Sequence, residues 1–133
     1  MHDLIGNLPV AIYEITVHPD GNSRIDFISE SCERILGIPK DVVLTDREIF
    51  ARVMHPDDLP EFLSRLKVAY DSGTEFNSQA RIFVDGVVRW IEVTSTHQAQ
   101  SNGVIKRYGL VQDVTFRRAR HEEELLRYRS LEA

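Results

Sequence analysis

Residues 83–126 read FVDGVVRWIEVTSTHQAQSNGVIKRYGLVQDVTFRRARHEEELL. Two long strand-like runs are joined by Asn102-Gly103, then pass through Asp113-Val114-Thr115 into a highly charged helical segment without a linker. Asn-Gly between such runs is a hairpin signal, because primed turns require positive φ. A sheet that feeds a helix directly transmits mechanically, since a shift in the last strand moves the helix it starts. Nothing in the stretch has the makings of a catalytic centre.

The rest of the chain accommodates one α+β domain. At 133 residues it can bury a core without staples. Cys32 is the single cysteine, which excludes an internal disulfide framework and a cysteine-based zinc site. The formal net charge of -5 argues against general nucleic-acid binding, which needs a basic footprint. No apolar run approaches a membrane span, so no membrane contact is expected of this segment. The opening MHDLIGNLPVAIYE lacks the basic start and apolar stretch of a signal peptide, and a cytoplasmic location is expected.

Hydrophobic periodicity sets the element order. A short helix is expected over 2–7, stopped by Pro9. Ala11, Tyr13, Ile15 and Val17 alternate on a first strand. Asp20-Gly21 turns the chain, and Ile25 and Phe27 continue a second strand. Ser29 is expected to cap a short helix ended by Gly37, with Ile35 and Leu36 pointing inward. Short helices are expected at 40–43 and 46–53. Leu59, Phe62, Leu63, Leu66, Ala69 and Tyr70 line one face of a longer helix, with Asp57 as N-cap and Pro60 in the first turn. Strands over 76–84, 87–98 and 105–114 complete a hairpin–helices–meander–helix order. That order puts helices on one face of an antiparallel sheet.

Four landmarks carry a family resemblance: Ser29 to Val43 (SESCERILGIPKDVV), His55-Pro56-Asp57-Asp58, Asp85-Gly86 with Arg89-Trp90, and Asp113-Val114-Thr115. Each is short, but together, in this order and spacing, they are specific. The chain resembles the PAS (sensory box) family over residues 3 to about 117. The resemblance implies a five-stranded antiparallel sheet in the order 2-1-5-4-3, with helices flanking a small cavity. It implies a domain at 1–115 and a signalling or coiled-coil helix at 116–133 leading to an effector absent from this chain. It also implies a non-catalytic regulatory role. The parent protein would be a bacterial-type sensor histidine kinase, a cyclic-di-nucleotide enzyme or a transcriptional regulator. The alternative is a ligand-free dimerisation and spacer domain whose interior is filled by its own side chains.

Specific residues follow. Tyr13, Ile15, Phe27, Ile35, Phe50, Phe62, Leu66, Val93 and Leu110 are the candidates for a ligand pocket, although core and pocket use the same side chains. Thr115 is expected to cap the last helix, and Asp113 to hold a basic partner among Arg89, Arg107 and Arg117. Phe116, Ala119 and Leu126 lie on a heptad seam with Glu123, Ser130 and Ala133, which suggests a parallel homodimer. His121-Glu122 resembles a histidine-kinase phosphoacceptor. Leu125 stands where that motif carries Thr or Asn, so a solvated helix face is the preferred reading.

The cofactor stays open. Light-sensing relatives place their flavin-reactive cysteine before the long helix. Val43 to Phe50 contains none, so a cysteinyl-flavin adduct is disfavoured and Cys32 reads as a core residue. Haem-binding relatives can supply a histidine from the long helix, and Asp58 to Gly73 contains none. His55, Asp57 and Asp58 could be drawn as a metal-using enzyme site. A turn with acids at a helix start explains them more simply, so no metal site is expected.

Overall fold

The structure, a computed structural model, describes residues 10–46 and 48–132. The helix expected over 2–7, Pro9 and Ala133 lie outside the described residues. The elements are β1 (Val10–Val17), β2 (Ser23–Ile28), α1 (Cys32–Leu36), α2 (Lys40–Thr45), α3 (Ile49–Val53), α4 (Leu59–Ser72), β3 (Phe76–Val84), β4 (Val87–Ala99), β5 (Ile105–Asp113) and α5 (Thr115–Glu132). Every strand pairing is antiparallel, and the sheet order is β2-β1-β5-β4-β3. β5 therefore lies at the centre, between β1 and β4.

The meander follows from its turns and its alternation. Asp85 and Gly86 both take positive φ (51° and 79°), as a two-residue primed turn demands. On β3, Phe76, Ser78, Ala80, Ile82 and Val84 are buried while their neighbours are more exposed, the period of a half-covered strand. The core combines this face with Ile91 and Val111 from the sheet and Leu36 and Val43 from the helices.

Two expected helix caps act differently. Ser29 accepts a hydrogen bond from the Ile12 N–H at 2.9 Å, tying the segment after β2 to β1, while Ser31 holds the N-cap position of α1. Asp58, not Asp57, precedes α4, and its carboxylate does not bond the helix N–H groups. Instead it accepts from the Arg81 backbone N–H at 2.8 Å and from that guanidinium at 2.6 and 3.0 Å. A bidentate, part-buried pair of this kind fixes α4 on β3. Its first effect is on Asp58 itself, whose carboxyl is held below the usual range by Arg81.

β2 carries a bulge. Glu14 pairs with Phe27 and Ile15 with Ile25, leaving Asp26 without a partner on β1. The extra residue reverses the alternation, so Ile25 and Ile28 face inward and Phe27 faces out, 43 % exposed. Asp26 collects Thr16, Arg24 and Lys106, with Lys106 Nζ at 2.9 Å. Burial alone would raise the Asp26 carboxyl, but these hydrogen bonds outweigh it and hold it at about 2.

A carboxyl lowered on folding stabilises the fold above its unfolded value. That stability is lost as pH falls through the folded value. We expect a loss of about 1–2 kcal/mol between about pH 4 and pH 2, after allowing for solvent screening of Arg24. Asp26→Asn should flatten this limb of stability against pH in urea titrations. Superimposable limbs would show that the cluster contributes no linkage.

Candidate functional site

Between the inner face of the sheet and helices α2, α3 and α4 lies a largely apolar cavity of about 380 Å³. Of the predicted pocket residues, Tyr13, Ile15, Phe50, Phe62, Leu66 and Val93 line it. Three do not. Phe27 is turned outward by the β2 bulge. Ile35, on α1, is packed into the core, 3 % exposed. Leu110 lies on the opposite face of β5 from Val111, which lines the cavity in its place. Sequence reasoning also missed Ile25, Ile28, Val43 and Met54 from the wall, and Arg107. The strand period would have found Arg107 once Val111 was taken as the inward residue.

Several features hold the cavity open or shape it. Phe62 packs edge-on against Phe76, with ring centroids 5.2 Å apart, which anchors α4 over the sheet. Gly109, on β5 opposite Tyr13, supplies room for the tyrosine ring. A Cβ at Gly109 would stand 2.4 Å from Tyr13 Cζ. Cys32 is fully buried on α1 and is absent from the cavity wall; burial pushes its thiol up.

One end of the cavity is polar. Arg107 projects from the inner face of β5, its guanidinium carbon 5.8 Å from the Tyr13 ring centre. A second groove of about 310 Å³ shares Ile15, Ser23, Leu63, Leu66 and Arg107 with the cavity and adds Tyr70. The Tyr70 ring lies 4.7 Å from that of His97, whose Nδ1 is 3.3 Å from the Thr74 carbonyl oxygen. Burial pushes the Tyr70 phenol up and the His97 imidazole down, and Arg107 lowers both.

The junction from sheet to helix uses the predicted residues with their tasks exchanged. Asp113 caps: its carboxylate accepts the Thr115 N–H at 2.9 Å. The Thr115 hydroxyl instead accepts the Trp90 N–H at 2.8 Å, and the Val114 N–H donates to the Trp90 carbonyl at the same distance. None of the three arginines proposed for Asp113 pairs with it. Arg89 donates to the Arg34 and Ile35 carbonyls, Arg107 lies at the cavity, and Arg117 pairs with Glu92 at 3.4 Å. Arg118 stacks its guanidinium 3.6 Å from the Trp90 ring centre and donates to Gln79 Oε1. Trp90 is thus the socket of the helix.

Beyond that socket α5 leaves the domain. Every residue from Ala119 to Leu131 is exposed, and Phe116 is 75 % and Leu126 63 % exposed. Glu123–Arg127 and Arg120–Glu124 pairs span its surface at 3.5 and 3.9 Å. Isolated helices are marginal in water, so this one gains little from its own chain past Arg118. Among the described residues, no helix is long and apolar enough to cross a membrane.

This sheet order, with helices over one face and a helix leaving the central strand, is the architecture that the family resemblance implied. The chain belongs to the PAS family: the family model described as PAS fold matches residues 25–111. A methyl sulfide methyltransferase-associated sensor of Methanosarcina acetivorans is 27 % identical over 111 residues. The match takes in 81 % of this chain and spans only 11 % of that sensor's length.

Solved structures agree on the fold. The N-terminal domain of a diguanylate cyclase with PAS/PAC sensor from Marinobacter aquaeolei superposes with a TM-score of 0.69 at 18 % identity, covering 82 % of this chain and 98 % of that one. A domain of a light and redox sensing histidine kinase, so described, from Haloarcula marismortui gives 0.67 at 17 % identity, covering 85 % and 96 %.

Proposed function

We propose that this chain is a cytoplasmic, non-catalytic sensory module that binds a small molecule in its cavity and relays occupancy through α5 to an effector. The observation that carries the reading is the shared strand. Val111 lines the cavity, and Asp113, on the same β5, caps α5. On β4, Val93 lines the cavity and Trp90 holds Thr115. A ligand that favours one arrangement of β4 and β5 therefore acts on the helix start. It shifts the equilibrium only by its difference in affinity for the two states.

The exposed seam of Phe116, Ala119 and Leu126 supports a homodimer through α5. The family and the sensor-like relatives support a sensor kinase or cyclic-di-nucleotide enzyme as parent. The open cavity favours this reading over a ligand-free spacer.

The test is amide hydrogen exchange with and without a ligand found by thermal shift or by mass spectrometry of the denatured protein. Binding should raise the melting midpoint and change exchange at β4, β5 and the first turn of α5. Trp90→Ala should preserve binding and abolish the change in α5. Exchange changes confined to the cavity wall would end the relay reading, and failure to find any ligand would favour the spacer.

A further inference from the structure

We propose that the cavity takes a small amphipathic anion, with its carboxylate at Arg107 and its apolar body between α4 and the sheet. This rests on reading the cavity as a ligand site. It adds the chemical class of the ligand and the way it is oriented.

A guanidinium on the inner face of a central strand calls for a partner, because a part-buried charge is costly unless paired. Arg107 has none: among the described residues no carboxylate lies within 4 Å of it, and its Nε is buried without an acceptor. The nearby acids are already engaged. Asp71, in the adjoining groove, pairs with Lys67 at 2.7 Å, and Asp26 holds Arg24 and Lys106.

Among the described residues, four of the five buried side-chain polar atoms without a partner lie at or around Arg107; the fifth, Arg118 Nε, is at Trp90. Tyr70 Oη, Ser95 Oγ and His97 Nε2 are buried without a partner, as is Arg107 Nε. In the β4–β5 register His97 lies opposite Arg107 and Ser95 opposite Gly109, on the face that carries Val93 and Val111. Ser95 is 1 % exposed, so bulk water does not reach it. Arg107 lines both the cavity and the adjoining groove, Tyr70 lines the groove, and Ser95 and His97 line neither, so Arg107 is the group that meets a carboxylate in the cavity. Most of the remaining wall, Phe50, Met54, Phe62 and Val93 among it, is apolar, with Ser23, Arg24 and Thr45 as further polar residues. One polar end and one long apolar end select an amphiphile in a single orientation.

The experiment is an NMR titration of the full chain with sodium octanoate, 1-octanol and octylammonium at fixed ionic strength. These probes share their tail and differ in headgroup. Octanoate should bind at least about tenfold tighter than octanol, as a charge-assisted bond requires, with the largest shifts at Ser95, His97 and Arg107. Arg107→Gln should reduce octanoate to the octanol level, and Arg107→Lys should keep part of the preference.

Equal affinity for octanoate and octanol would overturn the anion assignment and leave the cavity reading standing, with water as the partner of these groups. Tighter binding of octylammonium would overturn it too. Absence of binding by all three would overturn the amphiphile assignment, and the wider ligand search then decides the cavity reading. The comparison among probes uses the unaltered protein, so it stands even if a variant fails to fold.

Discussion

Ile91→Ala should destabilise the domain by about 3 kcal/mol, read as a lower urea midpoint with an unchanged slope. Ile91 is fully buried, and in the sheet it faces Ala80 on one side and Asp113 on the other. Deleting its outer carbons removes apolar burial and leaves a void that the paired strands cannot close by moving independently. The position is also next to Trp90 and opposite the residue that caps α5. The loss should therefore speed amide exchange in the first turn of that helix. Val87→Ala, at a site 63 % exposed on the same strand, should stay within about 0.5 kcal/mol. A similar, small effect at both positions would show that the core is not packed as described.

Gly109→Ala should cost about 1–3 kcal/mol and close the cavity to ligands. The new methyl group would overlap the end of the Tyr13 ring, with Tyr13 Cζ and Oη each 2.4 Å away. The backbone at Gly109 is held on both sides by β1 and β4, so the ring must move instead. Tyr13 is 7 % exposed and lines the cavity, which is the space open to it. Loss of octanoate binding with retained cooperative unfolding is the expected signature. Combining the change with Tyr13→Leu should restore much of the stability, because the two sites are in contact and not additive. Independent, additive costs would mean that the ring does not fill the space over Gly109.

The element order was legible because it depends on local signals. Alternation, the Asp85-Gly86 turn and the stripe on α4 are each contained in a short stretch of chain. The five-stranded order came from the family resemblance, and the structure has it. Most of the cavity wall was legible for the same reason, since inward apolar residues at the right period are either core or pocket.

The misplacements share a cause. Simple alternation puts Phe27 inward, and a single unpaired residue on β2 reverses it. Alternation on β5 does not record which face meets the helices, and Val111, not Leu110, faces them. The junction was located correctly at Asp113 and Thr115, but their tasks depend on where Trp90 lies. Trp90 is far from Thr115 in sequence and adjacent to it across β4 and β5.

By itself, the order of residues determined which segments are strands and helices, where the last strand becomes a helix, and that the helix carries a charged, outward surface. These follow from periodicity and turn chemistry, which act over a few residues. The tertiary structure decided that Arg107 stands at the end of a largely apolar cavity with no carboxylate beside it among the described residues, that Asp58 is bound to Arg81, and that Trp90 anchors α5. Those depend on pairing register and on a bulge. A register shift by one residue exchanges the two faces of a strand, and no local pattern records which face was chosen.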